Sequence, residues 1–333
     1  MKKNNTIIIA EAGVNHNGRL AVAKKLVSAA KGAGANIVKF QTFLTEDVVT
    51  KSAKKADYQK KYKSRDTQYN MLKSLELSFK EFDILSKDCS KKNIEFLSTG
   101  FDIKSVRFLN SINQKRFKIP SGEITNYPLL RFIGRLKKKI ILSTGMSNLK
   151  EIESAIKVLN DFGTPLKKIT ILHCNSSYPT YVEDVNLNAM TTIKNNFGVD
   201  IGYSDHSLGI EAAVIAVSLG AKVIEKHFTL NRKSFGPDHL TSVEPSTFKK
   251  MVSAIRRTEE YLGSEKKYMT KSESKNKNQV RKSIVASQNI QEGEKFSETN
   301  LTTKRPADGI SPMKWKQIIG KKAKKNYKKN DLI

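Results

Sequence analysis

Residues 6–18 read TIIIAEAGVNHNG, a short β-branched run that passes directly into polar residues and glycine. Runs of this kind recur with helical patterns between them, which is typical of βα repeats that form a parallel sheet. Eight such runs are present, and eight parallel strands close a barrel. They span residues 6–10, 36–40, 94–98, 116–120, 139–143, 169–174, 199–203 and 222–226. The sequence therefore predicts an α/β fold, a (β/α)8 TIM barrel.

The segments around these runs predict the domain organisation. A helical pattern after the eighth run ends at Gly263, so residues 1–263 form the predicted barrel domain. Residues 264–279 are polar and charged, and we interpret them as a solvated linker. Residues 280–333 carry short apolar runs and predict a small second domain. The segment from Gln41 to Asn93 is far longer than an ordinary βα loop, which predicts that it covers a site.

The charge of the chain is strongly positive. Sixty basic and 32 acidic side chains give a formal charge of +28, and the basic residues are 49 lysines and 11 arginines. They are spread along the chain without a basic-aromatic reader motif. We interpret the charge as a solvated, lysine-rich surface that attracts anionic metabolites, and we predict no nucleic-acid partner. An anionic-polymer binding protein is the alternative from another functional class.

The lengths of the apolar runs and the number of cysteines indicate the cellular compartment. No apolar run approaches the roughly 20 residues that a membrane-spanning helix needs, and residues 7–10 are too short for the core of a secretory signal. Cys89 and Cys174 are too few for a disulfide framework, and we interpret both as free thiols. The sequence therefore predicts a cytoplasmic protein without a membrane partner.

All five histidines fall at the ends of predicted strands or just beyond them. In this fold the carboxyl ends of the strands carry the active site. His206 and His227 close the adjacent strands seven and eight, so their imidazoles can meet at one metal ion. Two imidazoles leave coordination positions open, which is typical of a Lewis-acid site rather than a structural one. The alternative is a pair of unrelated polar residues at the strand ends.

Two further groups of polar residues follow the middle strands. Lys118, Ser121 and Ser143 place a cation and two hydroxyls on neighbouring strand ends, which favours an anionic phosphate or carboxylate. Lys118 interrupts an apolar run, although it could instead be a surface lysine. Glu11 and Glu123 are candidates for acid-base chemistry, and the alternative is that they are structural partners of buried lysines.

Eight ordered motifs extend over nearly the whole chain. They are IIIAEAGVNHNG, IVKFQTF, FKIPSGE, LHCNSSYPT, GYSDHSLG, VIEKHFTL, GPDH and KRPADGISPMKW. In this order they resemble the bacterial sialic acid (N-acetylneuraminate) synthases and legionaminic acid synthases. The resemblance includes the antifreeze-like SAF domain at the C-terminus, so residues 280–333 are expected to form one.

The resemblance implies a metal-assisted transferase that condenses phosphoenolpyruvate with the open-chain form of N-acetylmannosamine. The products would be a nine-carbon 2-keto acid and phosphate. A legionaminic acid synthase that uses a 2,4-diacetamido-trideoxy sugar is the alternative. The metal would be Mn2+ or Mg2+, and family members form a domain-swapped homodimer in which the small domain caps the partner's barrel.

The resemblance also assigns roles to individual residues. The catalytic residues would be Glu11, Glu123, His206 and His227, with the two histidines as metal ligands and Glu11 near the metal. Phosphoenolpyruvate would be held by Lys118, Ser121, Ser143 and Ser204. The sugar would be held by Gln41, Glu123, Tyr178, Asp238 and, in trans, Arg305. Lys39, Thr99 and Ser176 complete the predicted substrate-binding residues.

Three residues depart from the pattern of the family. Ser176 stands where many sialic acid synthases have Asn, Gly100 stands where Ser-Thr-Pro-Phe is usual, and Ala307 replaces a glycine. Asp238 followed by His239 resembles the sialic and legionaminic branches more than the pseudaminic one.

Overall fold

The computed structural model describes residues 6–55 and 67–333. Part of the long segment between Gln41 and Asn93 therefore lies outside the described residues. The chain divides into two compact units, Met1–Gly263 and Ser264–Ile333. Within the described residues, no helix has the length and apolar character that crossing a membrane requires.

The first unit contains an eight-stranded parallel sheet with helices around it, which confirms the predicted TIM barrel. Each strand overlaps one of the eight predicted runs. The strands are β1 Ile7–Gly13, β2 Ile37–Thr42, β3 Glu95–Gly100, β4 Arg116–Ile119, β5 Lys139–Ser143, β6 Ile169–His173, β7 Asp200–Asp205 and β8 Val223–His227. Their order in the sheet is β3-β2-β1-β8-β7-β6-β5-β4.

The helices follow the strands in the alternating order of a βα repeat. They are α1 Leu20–Gly32, α2 Thr45–Val48, α3 Gln68–Lys73, α4 Phe79–Lys91, α5 Ile103–Ser111, α6 Tyr127–Arg135, α7 Leu149–Asp161, α8 Val182–Val185, α9 Asn188–Phe197, α10 Glu211–Ser218 and α11 Pro245–Leu262. Capping boxes, whose residues have the S/T/N-x-x-E spacing in the sequence, begin α4 at Ser78–Glu81 and α7 at Asn148–Glu151.

Alternation along the strands separates two apolar layers. Ile8 of β1 and Val38 of β2 belong to the large core cluster that also contains the buried faces of the surrounding helices. The inward positions Ile9 and Ile37 belong to a separate cluster inside the barrel, together with Leu97, Ile141, Leu172 and Val223. Inward residues change from apolar to polar or charged toward the carboxyl ends of several strands, as from Ile9 to Glu11 and from Ile141 to Ser143, so the polar groups collect at that end.

Two glycines allow close packing in the barrel. A Cβ atom at Gly202 would lie 2.5 Å from Leu172 Cδ2, inside the barrel. A Cβ atom at Gly100 would lie 2.7 Å from Val106 Cγ2, so the glycine lets α5 approach the end of β3. This close approach gives a physical reason for glycine at position 100.

Side chains join β3 and β4, the two strands at the ends of the sheet order. The two strands contact each other and close the barrel. The buried Gln114 side chain accepts a hydrogen bond from Ser98 N (2.7 Å) and donates one to Ser98 O (3.1 Å). Arg116 forms a two-pronged ion pair with Glu95 next to it, with N–O distances of 2.6 and 3.0 Å. The side-chain amide of Gln114 thus makes the two hydrogen bonds that the backbone of a neighbouring strand would otherwise make with Ser98.

The second unit has a small sheet and a core of its own. Strands β9 Ser283–Ala286 and β10 Leu301–Lys304 pair antiparallel. Helix α14, Trp315–Ile318, lies in the same unit, whose core includes Ile284, Ile290 and Phe296. Two single-turn helices, α12 Lys271–Ser274 and α13 Lys277–Val280, lie within the residues predicted to be a linker, and all of residues 264–279 are exposed. A capping box of Thr270 and Glu273 begins α12, which explains a helical turn without apolar packing.

Candidate active site

A cavity of about 480 Å³ opens at the carboxyl ends of the barrel strands. Its lining includes every predicted site residue of the first unit. These are Glu11, Lys39, Gln41, Thr99, Lys118, Ser121, Glu123, Ser143, Ser176, Tyr178, Ser204, His206, His227 and Asp238. The strand ends therefore bring together residues that are more than two hundred positions apart in the chain.

Four buried charges lie at the base of the cavity. Lys39 Nζ lies 2.9 Å from Glu11 Oε2 and 3.6 Å from Glu225 Oε2, and Lys118 Nζ donates to both oxygens of Glu225 at 2.8 and 3.0 Å. All four side chains are 5% exposed or less. We refer to Glu11, Lys39, Lys118 and Glu225 as the charged cluster. Its two lysines and two carboxylates compensate one another in a place that water barely reaches.

Burial and pairing shift the pKa values within the charged cluster. Burial raises the pKa of Glu225, but the charges of Lys118 and Lys39 outweigh it and lower that pKa to about 2. Burial raises the pKa of Glu11 and lowers that of Lys118. Burial also lowers the pKa of Lys39, yet the carboxylates Glu11 and Glu225 raise it above its ordinary value. Glu225 is thus the carboxylate that stays ionised, and Glu11 is the one that can take up a proton.

Glu225 is the functional candidate that the sequence analysis left out. It belongs to the strand that ends in His227, two residues earlier, and both side chains line the cavity. Lys226, between them, points the other way and pairs with Asp205 at 2.6 Å. The period of two along a strand is the signal that could have found it, because Glu225 must share the face of His227.

The two predicted metal ligands face each other across the ends of β7 and β8. The ring centroids of His206 and His227 are 5.4 Å apart, with the ring planes at 62°. His206 Nδ1 lies 2.5 Å from the carbonyl oxygen of Asn175, to which it donates, so its Nε2 carries the lone pair. Tyr178 OH and Ser204 Oγ are 3.4 and 3.3 Å from that Nε2. The carbonyl of Asn175 thus orients the imidazole with its lone pair toward the site.

The electrostatics of both imidazoles fit a metal ion. Burial lowers the pKa of His206 to about 4, and burial together with the charge of His206 lowers the pKa of His227 well below its ordinary value. Both rings are therefore neutral at pH 7, as metal ligands must be. His227 Nδ1 is buried and has no hydrogen-bond partner among the described residues. An unpaired imidazole nitrogen beside a second neutral imidazole is the donor arrangement that a divalent transition metal prefers.

Among the described residues, His206 and His227 are the candidate metal ligands. Within residues 6–55 and 67–333, no group of three or more His, Cys, Asp or Glu side chains is arranged to hold a metal ion. Two imidazoles would leave the remaining coordination positions of a metal to water and substrate oxygens. The geometry is therefore that of an open site rather than a structural one.

The other three histidines do not line this cavity. The ring of His16 lies 6.1 Å from that of Phe40, and His173 Nε2 lies 2.9 Å from the carbonyl oxygen of Val185. His239 Nδ1 contacts Thr229 Oγ1 at 2.7 Å. They lie near strand ends, as the sequence indicated, but pack against their own surroundings.

Hydroxyls and one backbone amide gather beside Lys118, at the ends of β4 and β5. The Gly145 N–H donates to Ser121 Oγ at 2.9 Å, and Ser143 Oγ is buried without a partner among the described residues. A Cβ atom at Gly145 would collide with the Ser176 and Ser121 hydroxyls, so only glycine leaves this space free. A lysine with hydroxyls beside it, one of them unpaired among the described residues, is suited to the oxygens of a phosphate or carboxylate.

A different group of side chains lies around Gly13, at the end of β1. A Cβ atom on Gly13 would lie 3.3 Å from Gln41 Nε2, 3.4 Å from Glu11 Oε1 and 3.5 Å from Asp238 Oδ2, which shows how closely the three converge. Gln41 donates to Glu11 Oε1 at 3.2 Å. Burial, with the nearby charge of Glu11, raises the pKa of Asp238 to about 7. Amide and carboxyl groups in this arrangement can bind sugar hydroxyls.

Glu123 and Arg305 have different positions. Glu123 lies in a 3₁₀ turn that follows β4, where its carboxylate accepts from Asn126 Nδ2 at 2.6 Å. Arg305 belongs to the second unit, where its Nε donates to the carbonyl oxygen of Val280 at 2.8 Å. The structure therefore places Glu123 at the cavity, and it describes Arg305 within the second unit.

The long segment after β2 lines the cavity, in agreement with the prediction that it covers a site. It contributes apolar side chains that the sequence analysis did not assign: Phe43, Val48, Val49, Met71, Leu72 and Leu75. Phe101, directly after β3, adds to them. Their signal in the sequence is weak, because isolated apolar residues in a long loop have no regular period.

The first unit is an eight-stranded parallel barrel with buried lysines, carboxylates and two neutral imidazoles at its carboxyl rim, and the chain also has an SAF domain. These features define the class of TIM-barrel synthases. The NeuB family model matches residues 26–267, and the SAF domain model matches residues 281–333. The chain belongs to the NeuB family.

Three relatives illustrate the similarity. An N,N'-diacetyllegionaminic acid synthase of Campylobacter jejuni is 52% identical, over 100% of this chain and 99% of the relative. A second N,N'-diacetyllegionaminic acid synthase, from Legionella pneumophila, is 46% identical over 96% of this chain and 90% of the relative. The crystal structure of the N-acetylneuraminic acid synthetase of Leptospira borgpetersenii is 36% identical, covers 82% of this chain and 90% of its own, and has a TM-score of 0.72.

Proposed function

We propose that this protein is a nonulosonate synthase that condenses phosphoenolpyruvate with the open-chain aldehyde of an N-acetylated amino sugar. C3 of phosphoenolpyruvate bonds to the aldehyde carbon, the oxygen of a water adds to C2, and the bond from C2 to the phosphate oxygen breaks. The products are a nine-carbon 2-keto acid and phosphate. The observation that carries the proposal is the single cavity in which the charged cluster adjoins two neutral imidazoles.

The end of the cavity at β4 and β5 would bind phosphoenolpyruvate. Lys118 offers a cation that Glu225 already orients, and Ser121, Ser143 and Ser204 offer hydroxyls for the phosphate and carboxylate oxygens. Because Lys118, Ser143 and Ser204 are held by strands, the enol carbon would be positioned before the acceptor arrives.

The end of the cavity at β1 and β2 would bind the amino sugar. Gln41 and Asp238 converge there, with Glu11 between the sugar and Lys39. The raised pKa of Glu11 suits it to take up the proton that the attacking water loses. Tyr178 would border the site beside the imidazoles, since its ring centroid lies 4.3 Å from that of His206 with the ring planes at 31°.

His206 and His227 would hold a divalent cation, and we propose Mn2+ or Mg2+. When bound, the metal supplies Lewis-acid polarisation of the acceptor aldehyde. We also propose that the enzyme is a cytoplasmic, domain-swapped homodimer in which Arg305 of one subunit binds the sugar's N-acyl group in the barrel of the other. This arrangement would give the small second domain a function.

The test is phosphate release by the full-length protein. Phosphoenolpyruvate, manganese and a panel of 2-acetamido sugars should yield phosphate and a product that is positive with periodate and thiobarbiturate. A chelator should stop the release and excess metal should restore it. If no acceptor of the panel supports phosphate release, the proposal is wrong.

A further inference from the structure

A buried ion pair lies on the outer face of the barrel, on the two strands that carry the imidazoles. Asp205 is the last residue of β7, Lys226 precedes His227 in β8, and Lys226 Nζ lies 2.6 Å from Asp205 Oδ2. The two side chains are at most 1% exposed, and neither is among the described residues that line the cavity. Because successive side chains of a strand point to opposite faces, the pair holds the backbone of the imidazoles from outside the site.

Further hydrogen bonds extend the ion pair around His206. Lys226 Nζ also donates to the carbonyl oxygen of Ser207 at 2.7 Å. Asp205 Oδ1 accepts from Ser207 N at 2.9 Å and from Ser207 Oγ at 2.6 Å. His206 therefore lies between two residues that are bonded to each other and to β8. We call Asp205, Ser207 and Lys226 the strand clamp.

The strand clamp lies where the regular pairing of β7 and β8 ends. The last registered pair of the two strands is Asp205 opposite Lys226. His206 and His227 come one position later. The hydrogen bond from Lys226 to the carbonyl oxygen of Ser207 therefore connects the strand ends at the level of the imidazoles, past the last registered pair.

The charges of the strand clamp add something that stability alone does not require. The desolvation of two buried charges offsets much of their attraction, and a well-packed apolar pair is often as stable or more stable. An apolar pair has no directional contacts, whereas an ammonium group held by a carboxylate and a carbonyl fixes the groups around it. The strand clamp thus gives the ends of β7 and β8 a defined geometry.

We propose that the strand clamp is a positioning device for the metal ligands, which holds the imidazoles of His206 and His227 at the separation that one divalent cation requires. The ring centroids are 5.4 Å apart. The carbonyl oxygen of Asn175 sets the rotation of the His206 ring, and the strand clamp sets the distance between the two backbones that carry the rings. The inference rests on the metal site of the proposed function.

The test is the binding of Mn2+ alone to the full-length protein, measured by titration calorimetry without substrates. Asp205→Asn combined with Lys226→Met removes both charges, so that neither is left buried without a partner. Loss of the groups that orient metal ligands weakens metal binding by roughly 10- to 100-fold. We expect the Kd for Mn2+ to rise by about that factor, while the melting temperature in a chelator stays close to that of the parent.

A second ion pair provides the matched control. Glu95 and Arg116 also join two neighbouring strands, but they are the first residues of β3 and β4, at the end of the barrel opposite the cavity. Glu95→Gln combined with Arg116→Met should leave the Kd for Mn2+ unchanged. His206→Ala gives the Kd of a protein that lacks one imidazole.

Ser207→Ala keeps the inference testable if the double variant of Asp205 and Lys226 does not fold. It removes one hydrogen bond of the strand clamp and no charge, and it should weaken Mn2+ binding by roughly two-fold or more. An unchanged Kd in the folded double variant overturns the inference, as does an unchanged Kd in Ser207→Ala if the double variant is unfolded. An equal loss of affinity in the control variant also overturns it.

The outcomes separate this inference from the proposed function. A parent protein that does not bind Mn2+ would overturn the metal site and the inference with it. Phosphate release by the parent, measured separately with the acceptor panel, would leave the synthase function standing in each of these cases. Absence of release with every acceptor, together with the expected changes of Kd, would refute the function and support the strand clamp.

Discussion

Glu225 holds the charged cluster together, because its carboxylate contacts both lysines and also accepts from Ser204 Oγ at 3.1 Å. Removing one partner of a buried ion pair leaves the other charge uncompensated. The side chain therefore matters for stability as well as for the orientation of Lys118.

Glu225→Gln should lower the free energy of unfolding by about 3 kcal/mol or more, since Lys118 and Lys39 lose a buried counter-charge. Denaturant unfolding measures this. Asp161→Asn is the comparison, because its ion pair with Lys157 is exposed at the surface and should change stability by less than about 1 kcal/mol. Equal losses for the two variants would mean that the buried pairing contributes little.

His206→Ala should reduce phosphate release by about 100-fold or more without unfolding the protein, because the imidazole lies at the rim of the barrel and outside the apolar clusters. Added metal should rescue the chelated parent and not the variant. His173→Gln is the control, since His173 contacts the carbonyl oxygen of Val185 away from the cavity. Activity of His206→Ala equal to that of the parent would refute the metal assignment.

Asp238 should make stability depend on pH. Its pKa is raised from the ordinary 3.8 to about 7, so between these values the folded state keeps a proton that the unfolded chain has released. The contribution of Asp238 to the free energy of unfolding therefore falls as the pH rises through this window. Melting temperatures of the parent and of Asp238→Asn measure this contribution. The melting temperature of the parent minus that of the variant should decrease as the pH rises from about 4 to about 7. A constant difference would show that Asp238 is not buried as a neutral acid.

The β3–β4 seam is the element that most depends on a side chain. Both hydrogen bonds of Gln114 go to the backbone of Ser98, and the amide is buried. Without it, a backbone donor and a backbone acceptor would lack partners in a dry place.

Gln114→Ala should lower the free energy of unfolding by about 2–4 kcal/mol, because two buried backbone groups become unsatisfied. Asn148→Ala, which removes the cap of α7 at the surface, should cost about 1 kcal/mol and serves as the comparison. Chemical denaturation of the two variants measures both losses of stability. A smaller loss of stability for Gln114→Ala than for Asn148→Ala would show that water can form hydrogen bonds with the backbone groups of Ser98.

The molecule as a whole would use two chains for each working site, if the second unit caps the barrel of a partner. A mixed dimer of Arg305→Ala and His206→Ala subunits should then regain about one active site of two, because one barrel would keep His206 and receive an intact Arg305 from the other chain. Phosphate release by co-expressed, doubly tagged dimers measures this. No recovery beyond the activity of the separate variants would argue for capping within one chain, and a monomeric parent in sedimentation would rule out capping in trans.

Local patterns in the sequence predict the barrel and the rim on which its polar residues lie. Strand positions and capping boxes depend on residues a few positions apart, and the carboxyl ends of parallel strands must share one rim. For that reason His206 and His227, at the ends of β7 and β8, could be expected to meet.

Only the tertiary structure decided which charged side chains pair and which apolar side chains line the cavity. Lys118 and Glu225 are 107 positions apart, and their contact exists because the closed barrel places β4 and β8 on opposite sides of one narrow interior. Met71 and Leu75 likewise pack in one cluster with Val14, next to the end of β1, although they are distant from it in the sequence. Such contacts depend on the closure and register of the whole sheet, and no local period of the sequence encodes them.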